Sequence, residues 1–378
     1  MKRYLLTPGP TPVPESVLLA TAQPVIHHRT PEFGKVLVDV TEGLKYVFQT
    51  KNDIFTYVAS GTGVMESAIV NLLSPGDRVL VMDTGNFGSR WAKILKAYGI
   101  EPEVVKYPWG KAAKVEDLKE RLKKASGIKA VFTQSTETST GVVNDIEGMG
   151  RAVKDTEAVL VVDAVSGLAG QDLKTDAWNV DVVVSGSQKG LMLPPGLGFV
   201  SISAKAWDLV EKAKLPRFYY DFKTFKKTFV EKKQGPYTPA VNLLLGLREV
   251  LRLINEEGLE NMFKRFALLA CAARAGVAAI GLEMFAEVPC NVVTAVKVPA
   301  GIDGKALVKR MRDEYGVGVA GGQGEYEGKI FRIAHMGYIG RFDIIVALAS
   351  LEMMLNTMGH KVELGRAVSA AEKVFLGN

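Results

Sequence analysis

The chain has 378 residues, 47% hydrophobic and 23% charged, which excludes disorder as the main state and suggests two domains. The 47 basic and 41 acidic residues give a net charge of +6, small for this length and with interleaved signs, so charge does not support a nucleic-acid partner. Two cysteines and four histidines, without CxxC or HExxH spacing, exclude a disulfide scaffold and argue against a metal site.

At the N-terminus the apolar run Tyr4-Leu5-Leu6 stops at Pro8-Gly9-Pro10, too short for a secretory signal. No uncharged apolar stretch reaches the ~18 residues that span a bilayer. A cytoplasmic protein with no membrane contact is expected. Pro8, Pro10, Pro12 and Pro14 stiffen residues 1–15 into an extended arm. Seven β-branched runs follow: 55–58, 78–82, 103–106, 130–133, 158–162, 181–185 and 198–202. Helical patterns at 64–73, 87–98 and 115–125 lie between them. Continuous apolar strands separated by helices predict an α/β fold, a mainly parallel seven-stranded sheet covered on both faces. The stretch around Lys223, Lys226, Lys227, Lys232 and Lys233 alternates with Phe222, Phe225 and Phe229 and reads as a solvated helix or hairpin face.

Helices at 240–257 and 259–276 break at Gly258, where the large domain (16–257) gives way to a smaller α+β domain (258–378). The latter holds a strand at 292–298, a helix at 304–315, a strand pair at 316–319 and 329–333, and a helix at 343–357. Cys271 and Cys290 both read as buried.

Three constellations carry chemistry. Ser60-Gly61-Thr62-Gly63-Val64-Met65-Glu66 follows the first strand and opens a helix, whose N-terminus favours an anion. Alone it fits a dinucleotide fingerprint, with Asp83 ending the next strand, as well as a cup for a single phosphate. Asp163 ends the run Leu160-Val161-Val162. Lys189 lies just beyond Val182-Val183-Val184-Ser185, so both residues open onto one crevice. An amine at a strand end can condense with an aldehyde cofactor. A strand-end carboxylate can keep a pyridine nitrogen protonated.

With these residues in place, the chain resembles the class V aminotransferases that use pyridoxal 5'-phosphate (fold type I), and within them the alanine–glyoxylate and serine–pyruvate enzymes. The most specific element is Ser185-Gly186-Ser187-Gln188-Lys189 followed by Pro194-Pro195-Gly196. The resemblance implies that Lys189 is the Schiff-base lysine and Asp163 the partner of the pyridine nitrogen. It implies N–H donors to the phosphate at Thr62, Gly63 and Val64, where many relatives have His in place of Val64, with Gln188 adding its side chain. Phe87 stands where several relatives place a stacking Trp, and Thr138 at the position facing the ring hydroxyl. Arg332, in Lys329-Ile330-Phe331-Arg332, is the expected carboxylate clamp, and Pro8 and Gly9 frame the substrate. Tyr237 and Thr238 resemble a segment that reaches the phosphate of a neighbouring subunit, implying a homodimer with shared sites. Thr238-Pro239 also reads as a helix start.

The implied activity is ping-pong transfer of an amino group from alanine or serine to glyoxylate or pyruvate. An aspartate-type enzyme is the alternative, with Arg29 and Arg90 near the site. A cysteine desulfurase is less favoured, for want of a reactive loop cysteine, and a nicotinamide dehydrogenase least.

Overall fold

The computed structural model describes residues 2–377. Its central sheet contains the seven expected strands: β1 (Asp53–Val58), β2 (Arg78–Asp83), β3 (Glu103–Lys106), β4 (Ile128–Gln134), β5 (Val159–Asp163), β6 (Val182–Gly186) and β7 (Leu197–Ile202). Their spatial order is β1-β7-β6-β5-β4-β2-β3. Only β7 runs antiparallel to its neighbours in this sheet, returning from β6 after the Pro194-Pro195-Gly196 turn. Alternate residues feed two apolar clusters on opposite faces: Leu160 and Val162 of β5 enter one, Val159 and Val161 the other. That two-sided burial is why the strands read as unbroken apolar runs.

The parallel strands deliver their C-terminal ends to one edge of the sheet, where α/β folds bind ligands. β1 leads into helix α2 (Gly61–Leu72), and β2 into α3 (Asn86–Ala97). Trp91 of α3 packs on Phe132 of β4 with ring centres 4.9 Å apart, which fixes this helix over the sheet. A helix that periodicity did not mark, α1 (Pro31–Phe48), precedes β1. Its start is nevertheless written locally: the Thr30 hydroxyl accepts the Phe33 N–H, and Pro31 takes the first turn.

Helices α4 (Val241–Glu257) and α5 (Leu259–Ala279) meet at Gly258. Beyond them β8 (Val293–Lys297) pairs with β9 (Ile330–Ala334). The expected pairing of 316–319 with 329–333 is corrected, because the segment divides at Val319. Val317–Gly318 pair in parallel with Tyr4–Leu5 of the arm, while Ala320–Gly321 pair with β9. The arm is therefore stitched into the C-terminal part: Leu6 N–H donates to Gly318 O at 2.8 Å, and Ala334 N–H to Leu6 O at 2.9 Å.

Cys271 is also corrected: it is exposed, whereas Cys290 is buried. An apolar run on a helix hides one stripe only, and on α5 that stripe holds Leu269, Ala270, Ala273 and Val277. The basic stretch forms a helix (Phe222–Lys232) with Phe222 and Phe225 inward and Lys223 and Lys226 paired to Glu211 and Asp53. Among the described residues no helix is long and apolar enough to cross a membrane.

Candidate active site

A cavity of about 250 Å³ opens at the C-terminal edge of the sheet, with Thr62, Phe87, Thr138, Asp163, Gln188 and Lys189 in its wall. Lys189 follows β6, and its ammonium nitrogen donates to the Pro8 carbonyl of the arm. Gly9, at φ 112°, lies so close that any Cβ would collide with the Lys189 side chain; only glycine fits. Thr11 completes the clasp, donating from N–H to Gln188 O at 3.2 Å and from Oγ1 to Lys189 O at 3.0 Å. Burial, then the Arg332 cation, pushes the Lys189 amine down to about 8, against the pull of Asp163.

Asp163, 5% exposed at the end of β5, receives the Val165 N–H on Oδ1 at 2.8 Å. Its other oxygen accepts nothing from the protein. Burial raises this carboxyl to about 6, with the Val165 N–H, Arg90 and Lys189 opposing. It is therefore mostly ionised at neutral pH.

At the start of α2, Ser60 Oγ accepts the Gly63 N–H at 3.3 Å and Ser60 O the Val64 N–H at 3.2 Å. The Thr62 N–H has no such partner. A Cβ on Gly63 would come within 2.6 Å of the Tyr220 hydroxyl. The Val64 side chain is buried in the core, and neither Gly63 nor Val64 lines the cavity.

Glu137 organises the opposite wall. Its Oε2 accepts the N–H groups of Phe87 and Gly88, both at 3.0 Å. Its Oε1 accepts the Ser139 N–H at 3.1 Å and the Ser139 hydroxyl at 2.6 Å. Complete burial lifts this carboxyl to about 7, against those hydrogen bonds. Next to it, Thr138 Oγ1 pairs with Ser166 Oγ at 2.5 Å. Arg332 of β9, 4% exposed, lies behind Thr138: Nη1 donates to Thr138 O at 2.8 Å, while Nε and Nη2 share Gly321 O at 3.0 and 2.7 Å. Burial lowers its guanidinium to about 10, still a cation at neutral pH.

Not every expected residue converges. Tyr237 stacks on Tyr219 with ring centres 5.2 Å apart, and its hydroxyl donates to Phe218 O; Thr238 is exposed. Neither lines the cavity of its own chain. Arg29 is spent on Gln234 and on the carbonyls of Gly235 and Pro236 at the surface.

The model of the family described as aminotransferase class-V matches residues 3–331. The chain belongs to the class-V aminotransferase family. It is 42% identical over 99% of its length, and 98% of the relative's, to a Synechococcus protein described as "Soluble hydrogenase, small subunit". It is 38% identical, over 98% of its length and 96% of the relative's, to the L-aspartate–glyoxylate aminotransferase of Paracoccus denitrificans. The crystal structure of ureidoglycine–glyoxylate aminotransferase from Bacillus subtilis superposes with a TM-score of 0.96 at 31% identity, covering 100% of this chain and 98% of that one.

Class-V aminotransferases are transaminases that use pyridoxal phosphate, and the cavity of this one suits that group. Two polar atoms of its wall residues are buried without a partner, Gln188 Oε1 and Thr136 Oγ1. Buried polar atoms normally find partners, so these mark positions for a polar ligand. The Asp163 oxygen that accepts nothing from the protein is a further acceptor in the same wall. Neither cysteine lines the cavity, which leaves a desulfurase without its nucleophile there. Sequence reasoning named no role for Glu137 or Ser166; Glu137 adjoins Thr138, and Ser166 follows Asp163 by three residues.

Proposed function

We propose that this aminotransferase moves the amino group of a small amino acid, alanine or serine, to glyoxylate or pyruvate, with pyridoxal phosphate held in the 250 Å³ cavity. The observation that carries the reading is Lys189, half-buried, and Asp163, buried, at adjacent strand ends in one cavity wall. Glyoxylate as acceptor is supported by the names of the Paracoccus relative and the Bacillus structure. A panel of amino donors, aspartate included, against 2-oxo acceptors tests the pair. Highest turnover is expected with alanine or serine and glyoxylate or pyruvate, and an aspartate preference would overturn the donor assignment.

The group, when bound, supplies an aldehyde that condenses with amines and a ring that draws electrons from the attached carbon. Lys189 would hold it covalently and, once displaced by substrate, would carry the proton from the substrate Cα. A lowered amine pKa suits that work, since an amine near 8 is partly neutral at working pH and can take and return a proton. Asp163 would keep the ring nitrogen protonated, and an ionised carboxylate in a buried wall holds such a cation strongly. Thr62, Gly63, Val64 and Gln188 would hold the phosphate, Phe87 the ring face and Thr138 the ring hydroxyl. The Ser60 hydroxyl now on Gly63 is a bond that a phosphate oxygen can replace. Pro8 and Gly9 close the site over Lys189 and keep water from it.

Arg332 would bind the substrate carboxylate. Its bonds to Gly321 and Thr138 leave one N–H on each terminal nitrogen, the pair a carboxylate fork requires. Arg332→Leu is expected to weaken amino-acid binding by about 2–5 kcal/mol, the cost of truncating one partner of a desolvated charge pair. Cofactor colour should persist. The control is an amine without a carboxylate, on which wild type and variant should perform alike. Equal loss of amines and amino acids would show that Arg332 supports the fold.

Tyr237 and Thr238 would serve the site of a second subunit, which their place outside their own cavity supports. Sedimentation equilibrium should then show a dimer, and a fully active monomer would overturn this. Gly258 would mark the boundary between the large and small domains, and limited proteolysis or separate expression of 258–378 tests it.

A further inference from the structure

We propose that Arg90 is a further cofactor-binding residue, the cation that takes the phosphate monoester of pyridoxal phosphate. The proposal rests on the cofactor reading above.

Arg90 sits on α3 three residues after Phe87, so both side chains leave the same helix face. Its guanidinium lies 4.6 Å from the Phe87 ring centre and donates to Thr62 Oγ1 at 2.9 Å. It lines the cavity that holds Lys189 and Asp163. One of its five N–H donors is spent on the protein. Among the described residues no carboxylate lies within ion-pair distance of it, whereas Arg217, Arg265 and Arg310 each hold one and Arg252 holds two. An unpaired guanidinium held against the first turn of a 12-residue helix marks the place of an anion.

Charge balance narrows which anion. A phosphate monoester brings about −1.5 to −2 at neutral pH, and a helix N-terminus returns only about +0.5. The N–H donors there, at Thr62, Gly63 and Val64, are neutral groups and leave most of that charge unbalanced. Arg332 is anchored elsewhere, on Thr138 and Gly321, and Lys189 is committed to the aldehyde. Arg90 is the cavity cation tied to Thr62. Its guanidinium lies over Phe87, so a cation and an aromatic ring stand side by side in one wall, the first for phosphate oxygens and the second for the ring.

The test pairs a change in the protein with a change in the ligand. Apoprotein is titrated with pyridoxal phosphate and, separately, with pyridoxal, which lacks the phosphate. Visible absorbance reports binding in wild type, Arg90→Gln and Arg90→Lys. Loss of a charge-assisted contact should weaken pyridoxal phosphate binding by Arg90→Gln by roughly 10- to 100-fold. Pyridoxal binding should change less than about twofold, and Arg90→Lys should recover part of the loss, since an ammonium keeps the charge without the fork. Inorganic phosphate should compete with pyridoxal phosphate in wild type and lose that effect in Arg90→Gln. Equal weakening of both compounds would overturn the proposal by making Arg90 a support of the fold. Unchanged cofactor binding with a raised KM for aspartate would overturn it by moving Arg90 to the substrate. Wild type that binds neither compound would overturn the cofactor reading itself, and this proposal with it.

Discussion

Lys189→Ala is expected to abolish transamination while the protein stays folded. The residue has two jobs in the proposed reaction, covalent attachment and proton transfer at the substrate Cα, and no neighbour can take either. Its amine makes one protein contact, to the Pro8 carbonyl, and removing a desolvated amine relieves a burial cost. The backbone around it is held independently by Thr11 on Gln188 O and Lys189 O. The thermal midpoint should therefore move by no more than a few degrees, while turnover falls below detection. A variant that retains measurable turnover with alanine would show that another group carries the proton.

Asp163→Asn should be the second largest loss. The amide preserves shape and can still accept the Val165 N–H, but it removes the charge that would keep the ring nitrogen protonated. Electrostatic stabilisation of charge that develops in the transition state is commonly the largest single contribution to catalysis. Turnover is expected to fall by more than ~100-fold, with cofactor still bound. Stability should hold or rise slightly, because burial already disfavours the ionised carboxyl. Near-normal turnover would make Asp163 a cap for the Val165 turn and nothing more.

What could be read from the chain, and what could not, follows the range of the interactions involved. The seven sheet strands were legible because burial on both faces writes them as unbroken apolar runs. Lys189 and Asp163 could be picked out because a charged residue at the end of such a run, or just beyond it, stands out. The partner of Val317–Gly318 was not legible. Strand pairing is set by backbone hydrogen bonds that carry little side-chain signature, and here the partner is the arm some 310 residues away. Cys271 misled because an alanine- and leucine-rich run does not say which stripe faces in. Glu137 went without a role for a different reason. Its work is to collect N–H groups from α3 and from its own turn, a bond set that exists only once both segments meet. The arm's hold on Lys189 is of the same kind: the bond to Pro8 and the fit at Gly9 join residues 181 and 180 apart in sequence.

The central claim is that Lys189 carries the cofactor and gives it up to an amino donor. Borohydride reduction of the holoprotein followed by peptide mapping tests it most directly, in two samples. Without donor, the cofactor mass should be fixed on Lys189 alone. After excess alanine or serine without an acceptor, no label should remain on Lys189. Label on a different lysine, or label on Lys189 that neither these donors nor any other amino acid removes, would contradict the account.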